Sequence, residues 1–206
     1  MSKVCAIVFD CDGVLFESRV ANLAYYNRVL AHLGVEEVRS EDKERAHLCH
    51  TAASPQVFAT LLGEAMVPTA LDIAAKLDYR QFIPFMNPEP QLYSTLETLA
   101  QNFPLAIATN RGNSMVEILQ HFGLERFFQV VVTSRDVPRP KPYPDMLFLV
   151  AERLGMACRD LLFVGDSDLD HEAARGAGVR FVAYKGMTAG DFTIYEHAEL
   201  VSYLSL

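Results

Sequence analysis

Short apolar runs rich in β-branched residues recur along the chain, and most are followed by a stretch with helical periodicity. Residues 4–9 (VCAIVF) form the first run, uninterrupted by any polar side chain. A strand reads this way when both of its faces are buried. Comparable runs occupy 105–108, 130–132, 161–164 and 180–184. Helical patterns fall at 91–102, 114–122, 144–154 and 170–177, and Gly123, Gly155 and Gly178 stand just past the last three. Glycine there is a helix stop signal. The alternation predicts an α/β fold, a Rossmann-like three-layer core with a parallel sheet between helices.

One stretch departs from this rhythm. From about residue 17 to 87 there is no convincing strand. Helical patterns occupy 20–33, 41–49, 55–62 and 71–82, and Pro84, Pro88 and Pro90 close the segment. The expected organisation is therefore a core of residues 1–16 and 88–206 with an inserted helical subdomain at 17–87.

Composition narrows the class. The 206 residues are 50% hydrophobic, enough for a sizeable core, and the formal net charge is −8. A surface of that sign disfavours nucleic acid and anionic membranes as partners. The four cysteines, Cys5, Cys11, Cys49 and Cys158, show no metal spacing and read as reduced thiols. No run is long enough for a signal-peptide core or a membrane span, so a soluble, cytoplasmic protein is expected.

The candidate chemistry lies just after the predicted strands, where parallel sheets bind ligands. Asp10 and Asp12 follow the first, Thr109, Asn110 and Arg111 the second, Ser134 and Arg135 the third on the way to Lys141, and Asp166 and Asp170 the fourth. Carboxylates converging without a partner repel one another. A hard divalent cation removes that cost, and ligation by oxygen alone points to Mg²⁺. Mg²⁺ shares its shell readily with phosphate. Thr109 offers a hydroxyl and Lys141 a point charge for such a group. A free carboxylate is a recognised phosphoryl acceptor.

"FDCDGVLFES" (9–18), "IATNR" (107–111), "RPKPYPDMLFLVAERLG" (139–155) and "FVGDSDLDHEAARGAG" (163–178) occur in that order. Together they resemble the four motifs of the haloacid dehalogenase-like hydrolases, in particular phosphatases of the phosphoglycolate phosphatase and β-phosphoglucomutase type with a helical cap after the first motif. The resemblance covers nearly the whole chain. It implies an Mg²⁺-dependent phosphatase for a small phosphorylated metabolite; the sequence carries no sign of oligomeric state, for which a monomer or weak homodimer is the default expectation. Asp10 would be the nucleophile and Asp12 the general acid and base. Thr109, Asn110 and Lys141 would meet the phosphoryl group. Asp10, the main-chain carbonyl of Asp12, and Asp166 would bind the metal, with Asp170 ordering a metal-bound water or Lys141. Pro140 stands where relatives often have glycine, and with Pro142 it stiffens the lysine loop.

Other readings are weighed against this one. A phosphomutase would pass the phosphoryl group to a second hydroxyl. A carbon–halogen hydrolase is disfavoured by Asp12, and a phosphonate-cleaving enzyme would need a cap lysine, Lys43 or Lys76, in a suitable place. A catalytically silent phosphometabolite-binding regulator would keep the motifs without turnover. In the inserted segment, His47, His50 and Arg45 are read as a solvated face, with a cleft-facing role as the alternative. Tyr25 and Tyr26 are read as local core, and Asp168 as solvated.

Overall fold

The computed structural model describes residues 3–186 and 188–205. Six parallel strands form the central sheet: β1 (Ala6–Phe9), β4 (Leu105–Thr109), β5 (Phe128–Thr133), β6 (Leu161–Gly165), β7 (Arg180–Tyr184) and β8 (Phe192–Ile194), in the spatial order β5-β4-β1-β6-β7-β8. β1 lies in the middle, and the chain builds outward from it first on one side and then on the other. The loops after β1, β4 and β6 therefore meet at the switch point, where open α/β sheets leave a crevice.

The apolar run of β1 divides between two layers because successive side chains point to opposite faces. Ile7 and Phe9 pack with Leu92, Leu96 and Leu99 of α5 (Leu92–Ala100), with Met115 and Ile118 of α6 (Ser114–Phe122), and with Leu200 of α9 (His197–Tyr203). Ala6 and Val8 pack with Met146, Leu147 and Val150 of α7 (Asp145–Leu154) and Ala173 and Ala174 of α8 (Asp168–Ala177). All four β1 residues are buried. The expected three-layer parallel architecture is the one observed.

The segment after the first motif carries α1 (Arg19–His32), α2 (Lys43–Thr51), α3 (Ser54–Leu62) and α4 (Val67–Ala74). These helices hold their own apolar cluster, in which Tyr26, Val29, Cys49, Val57, Phe58 and Ala70 are buried. The connections into and out of this segment pair as a short antiparallel ribbon, β2 (Phe16–Glu17) with β3 (Asn87–Pro88). Periodicity gives no sign of a two-residue pair, and a proline sits in it. The helix expected at 71–82 lies earlier: Pro68 starts α4 at its first turn, where a missing N–H is harmless, and Tyr79–Gln81 and Ile83–Phe85 are single 3₁₀ turns. Strand β8 and helix α9 extend the fold beyond the expected elements. Helix α9 is only seven residues long and relies on a capping box between Glu196 and Glu199. All four cysteines are free thiols.

Phe58 is fully buried and meets the Tyr26 ring at a centroid distance of 5.4 Å. Phe58→Ala is expected to destabilise the helical segment by about 3–5 kcal/mol. Urea denaturation with hydrogen-exchange protection of α1–α4 checks this, and protection of β1 and β6 should fall less.

Candidate active site

Asp10 is the first residue beyond β1, and its backbone N–H donates to the carbonyl of Val164 in β6 (2.9 Å). That bond carries the strand pairing one residue further and fixes the acidic turn against the β6 loop. Gly13 follows at φ +77°, and a Cβ there would stand 2.0 Å from Asp166 Oδ2. Glycine thus serves two needs at this point, a left-handed backbone and room for the facing carboxylate. Asp10, Asp166 and Asp170 converge so that one oxygen from each lies within 4.8 Å of the others, and all three are buried.

Among the described residues, Lys141 is the cation that faces this group. Lys141 Nζ donates to Asp170 Oδ1 (2.6 Å) and stands 2.8 Å from Asp10 Oδ1, an ion pair without hydrogen-bond alignment. Asp170 Oδ2 accepts from the backbone and hydroxyl of Ser167 (3.1 and 2.5 Å), which closes the capping box that starts α8. A helix N-terminus favours negative charge there. Asp170 thus spends its oxygens on Lys141 and the helix cap.

The electrostatics show the group to be short of positive charge. Burial, reinforced by Asp170 and Asp10, pushes the Asp166 carboxyl up to about 8. Burial also raises Asp10 to about 7, with Lys141 opposing and Asp170 and Asp12 adding to the rise. Lys141 itself is desolvated, but Asp10 and Asp170 more than offset this and raise its pKa. Asp10 and Asp166, both kept partly protonated near neutral pH with one ammonium shared between Asp10 and Asp170, are what a hard divalent cation would relieve. The donor set fits Mg²⁺.

The Asp12 side chain turns away from that trio. Its Oδ1 accepts from Arg111 Nη2 (2.5 Å), Asn22 Nδ2 (2.9 Å) and the Ser18 hydroxyl. Burial alone would raise its pKa, but the Arg111 charge, together with hydrogen bonds from Arg111 and Ser18, holds it below the usual carboxylate range. Arg111 donates further to Tyr79 Oη (2.5 Å) and Asn22 Oδ1 (2.7 Å), so one guanidinium from the β4 loop ties Asp12 to two points of the helical segment. The sequence places Arg111 on the correct loop without revealing this use, because the partners Asn22 and Tyr79 are far away along the chain.

Thr109 ends β4 and is buried; its Oγ1 accepts from the Arg111 backbone (3.2 Å). Asn110 grips the lysine loop. Its Oδ1 accepts from Lys141 N (3.0 Å), and its Nδ2 donates to the carbonyls of Lys141 (3.0 Å) and Thr51 (3.1 Å). Above these residues is a cavity of about 950 Å³, lined among others by Asp12, Asn22, His50, Tyr79, Arg111 and Lys141.

The histidines of the helical segment are not alike. His47 is exposed, as expected of a solvated face. His50 is 6% exposed and lines the cavity, so the reading of a solvated face fails for it. One helical turn past His47, it lies at the buried end of α2, where the helix meets the core. Arg45 is exposed and paired with Asp42, Asp168 is exposed and accepts from Thr188 (2.5 Å), and Tyr26 lies in the segment's own core.

A family model described as haloacid dehalogenase-like hydrolase matches residues 7–184. The chain belongs to this family. A phosphoglycolate phosphatase of Shigella boydii is 32% identical over 222 residues, covering 95% of this chain and 84% of that one. A 5-amino-6-(5-phospho-D-ribitylamino)uracil phosphatase of Escherichia coli is 27% identical over 186 residues, covering 81% and 76%. Among solved structures, a hydrolase of the same superfamily (subfamily IA, variant 1) from Geobacter sulfurreducens superposes with a TM-score of 0.85 at 34% identity, covering 97% and 99%. The haloacid dehalogenase-like chain described here is a hydrolase of the phosphatase type. Among the described residues, no helix is long and apolar enough to cross a membrane.

Two predictions follow from the charges. Asp166 has a folded-state pKa above its unfolded one, so the metal-free protein binds more protons folded than unfolded between about pH 4 and 8. Its contribution to stability is present at low pH and is lost as pH rises through that window. Asp166→Asn is therefore expected to gain stability relative to the wild type from pH 5 to 8 in EDTA, as read by paired thermal melts. Arg111→Met would leave Asp12 buried without its countercharge. A loss of about 3–5 kcal/mol is expected in urea denaturation, against much less for the double variant with Asp12→Asn.

Proposed function

We propose that this phosphatase hydrolyses a small phosphorylated metabolite through an aspartyl-phosphate on Asp10, with Mg²⁺ as cofactor. The observation that carries the proposal is the convergence of Asp10, Asp166 and Asp170 beside Lys141, at the sheet edge beneath a cavity lined by Asp12 and Lys141. Mg²⁺ held by Asp10, Asp166 and the main-chain carbonyl of Asp12 would supply positive charge where the phosphoryl oxygens gather.

The remaining roles belong to the chain. An Asp10 oxygen forms a bond to phosphorus as the bond to the leaving oxygen breaks. Asp12, ionised against Arg111 in this arrangement, must take up a proton from solvent before it gives one to that oxygen, and it then takes one from the water that cleaves the acyl phosphate and frees Asp10. Lys141 and the Thr109 hydroxyl steady the charge on the phosphoryl group, and Asn110 holds the Lys141 backbone in reach. Asp170 keeps Lys141 aimed, and through Lys141 it orders the pocket. Residues 17–87 act as a cap that excludes water and selects the leaving group. The relatives named as phosphoglycolate and ribitylaminouracil phosphatases support phosphate monoesters of small metabolites as the substrate class.

Asp10→Asn keeps the shape and removes the nucleophile. Phosphate release from p-nitrophenyl phosphate and from 2-phosphoglycolate is expected to drop by roughly a thousandfold or more, as for loss of a covalent catalyst. EDTA should abolish wild-type turnover and added Mg²⁺ should restore it. Full turnover by the Asn variant would sink the nucleophile assignment.

A further inference from the structure

His50 stands at the end of a hydrogen-bond chain whose directions are fixed. Arg111 can only donate, so the Asn22 atom 2.7 Å from its Nη2 is the amide oxygen. Tyr79 Oη, which accepts from Arg111, donates its own proton to that same oxygen (3.3 Å). The Asn22 amide nitrogen is then the atom that faces both Asp12 Oδ1 (2.9 Å) and His50 Nδ1 (3.3 Å). Asn22 Nδ2 is a donor, so His50 Nδ1 accepts. The imidazole is neutral, and its proton sits on Nε2.

That Nε2–H is buried and has no acceptor among the described residues. A buried donor without a partner is costly, and buried polar groups in native proteins are nearly always satisfied by protein, water or ligand. Burial lowers the pKa of His50, which keeps the ring in this neutral form. The side chain lines the same cavity as Asp12, and one amide nitrogen bridges the two. The missing acceptor is therefore sought on a molecule held in that cavity, whose wall Asp12 and His50 share.

We propose that His50 is a specificity-determining residue, whose Nε2–H receives a hydroxyl or carboxylate oxygen carried by the leaving group close to the scissile ester. The inference rests on the phosphatase reading above. A site built to hydrogen-bond a substrate oxygen discriminates strongly against the analogue that lacks it, because the buried donor is then left unpaired. Alkyl phosphates without such an oxygen are poor substrates, and hydroxyl- or carboxylate-bearing phosphates are good ones.

Three probes of similar size test this: 2-phosphoglycolate, 2-hydroxyethyl phosphate and ethyl phosphate. The readout is the kcat/KM of each oxygen-bearing ester divided by that of ethyl phosphate. In the wild type at least one ratio is expected to exceed about tenfold, and the larger of the two identifies carboxylate or hydroxyl as the partner. His50→Phe keeps a planar ring and removes the donor, and should bring that ratio close to one. His50→Gln restores an N–H and should keep most of it. An unchanged ratio in His50→Phe would overturn the proposal and assign the donor to a buried water. If the Phe variant does not fold, the Gln variant decides: retention of the ratio supports the assignment, and a fall to near one in folded protein overturns it. Wild-type protein that releases no phosphate from any of these esters, nor from p-nitrophenyl phosphate with Mg²⁺, would overturn the phosphatase reading itself, and this inference with it.

Discussion

Three buried carboxylates crowd around a single ammonium at the carboxyl edge of the sheet, and the rest of the site is arranged to make that tolerable. Asp10, Asp166 and Asp170 face Lys141, whose one charge cannot balance theirs. Repulsion of this kind unfolds a protein unless it is met by protons, by a cation or by fixed dipoles. The fold supplies the dipoles through the Ser167 cap and the α8 N-terminus, which engage Asp170. Asp10 and Asp166 are left with raised pKa values, which leaves the site ready for a hard cation.

The second acidic residue of the first motif is handled in the opposite way. Asp12 lies two residues from Asp10, yet its carboxyl is kept low by Arg111 while that of Asp10 is pushed up. The two neighbouring carboxylates thus sit in unlike environments, one short of positive charge and one already paired. The separation comes from side-chain direction: Asp10 points to Lys141, and Asp12 points to Arg111 and to Asn22 of the helical segment. Arg111 is the hub of this second environment, because its guanidinium binds Asp12 from the core together with Asn22 and Tyr79 from the helical segment. The orientation of Asp12 and the seating of the helical segment are thus joined through one side chain.

The parallel sheet was legible because its central strands are buried on both faces and so appear as unbroken apolar runs. Helices α6, α7 and α8 were legible because each ends at a glycine in the left-handed conformation. The short ribbon of β2 and β3 was not, since two paired residues leave no periodicity. The start of α4 was misplaced because Pro68 acts as a first-turn residue only once the preceding 3₁₀ turn at Glu64–Met66 has set its approach. His50 and His47, three residues apart, look equivalent along the chain, but only the first reaches the core loops.

The sequence by itself determined which strands end in acidic or hydroxylic residues, and hence that Asp10, Asp12, Thr109, Lys141, Asp166 and Asp170 belong to one edge of one sheet. That follows from local chemistry and from the direction a parallel strand must run. Only the tertiary structure decided how those groups divide: which carboxylates share Lys141, which one Arg111 takes, and that Asn22, His50 and Tyr79 complete the site. Those choices depend on contacts between residues as far apart as Asp12 and Arg111, whose geometry is set when the helical segment docks on the core. No local pattern records that docking.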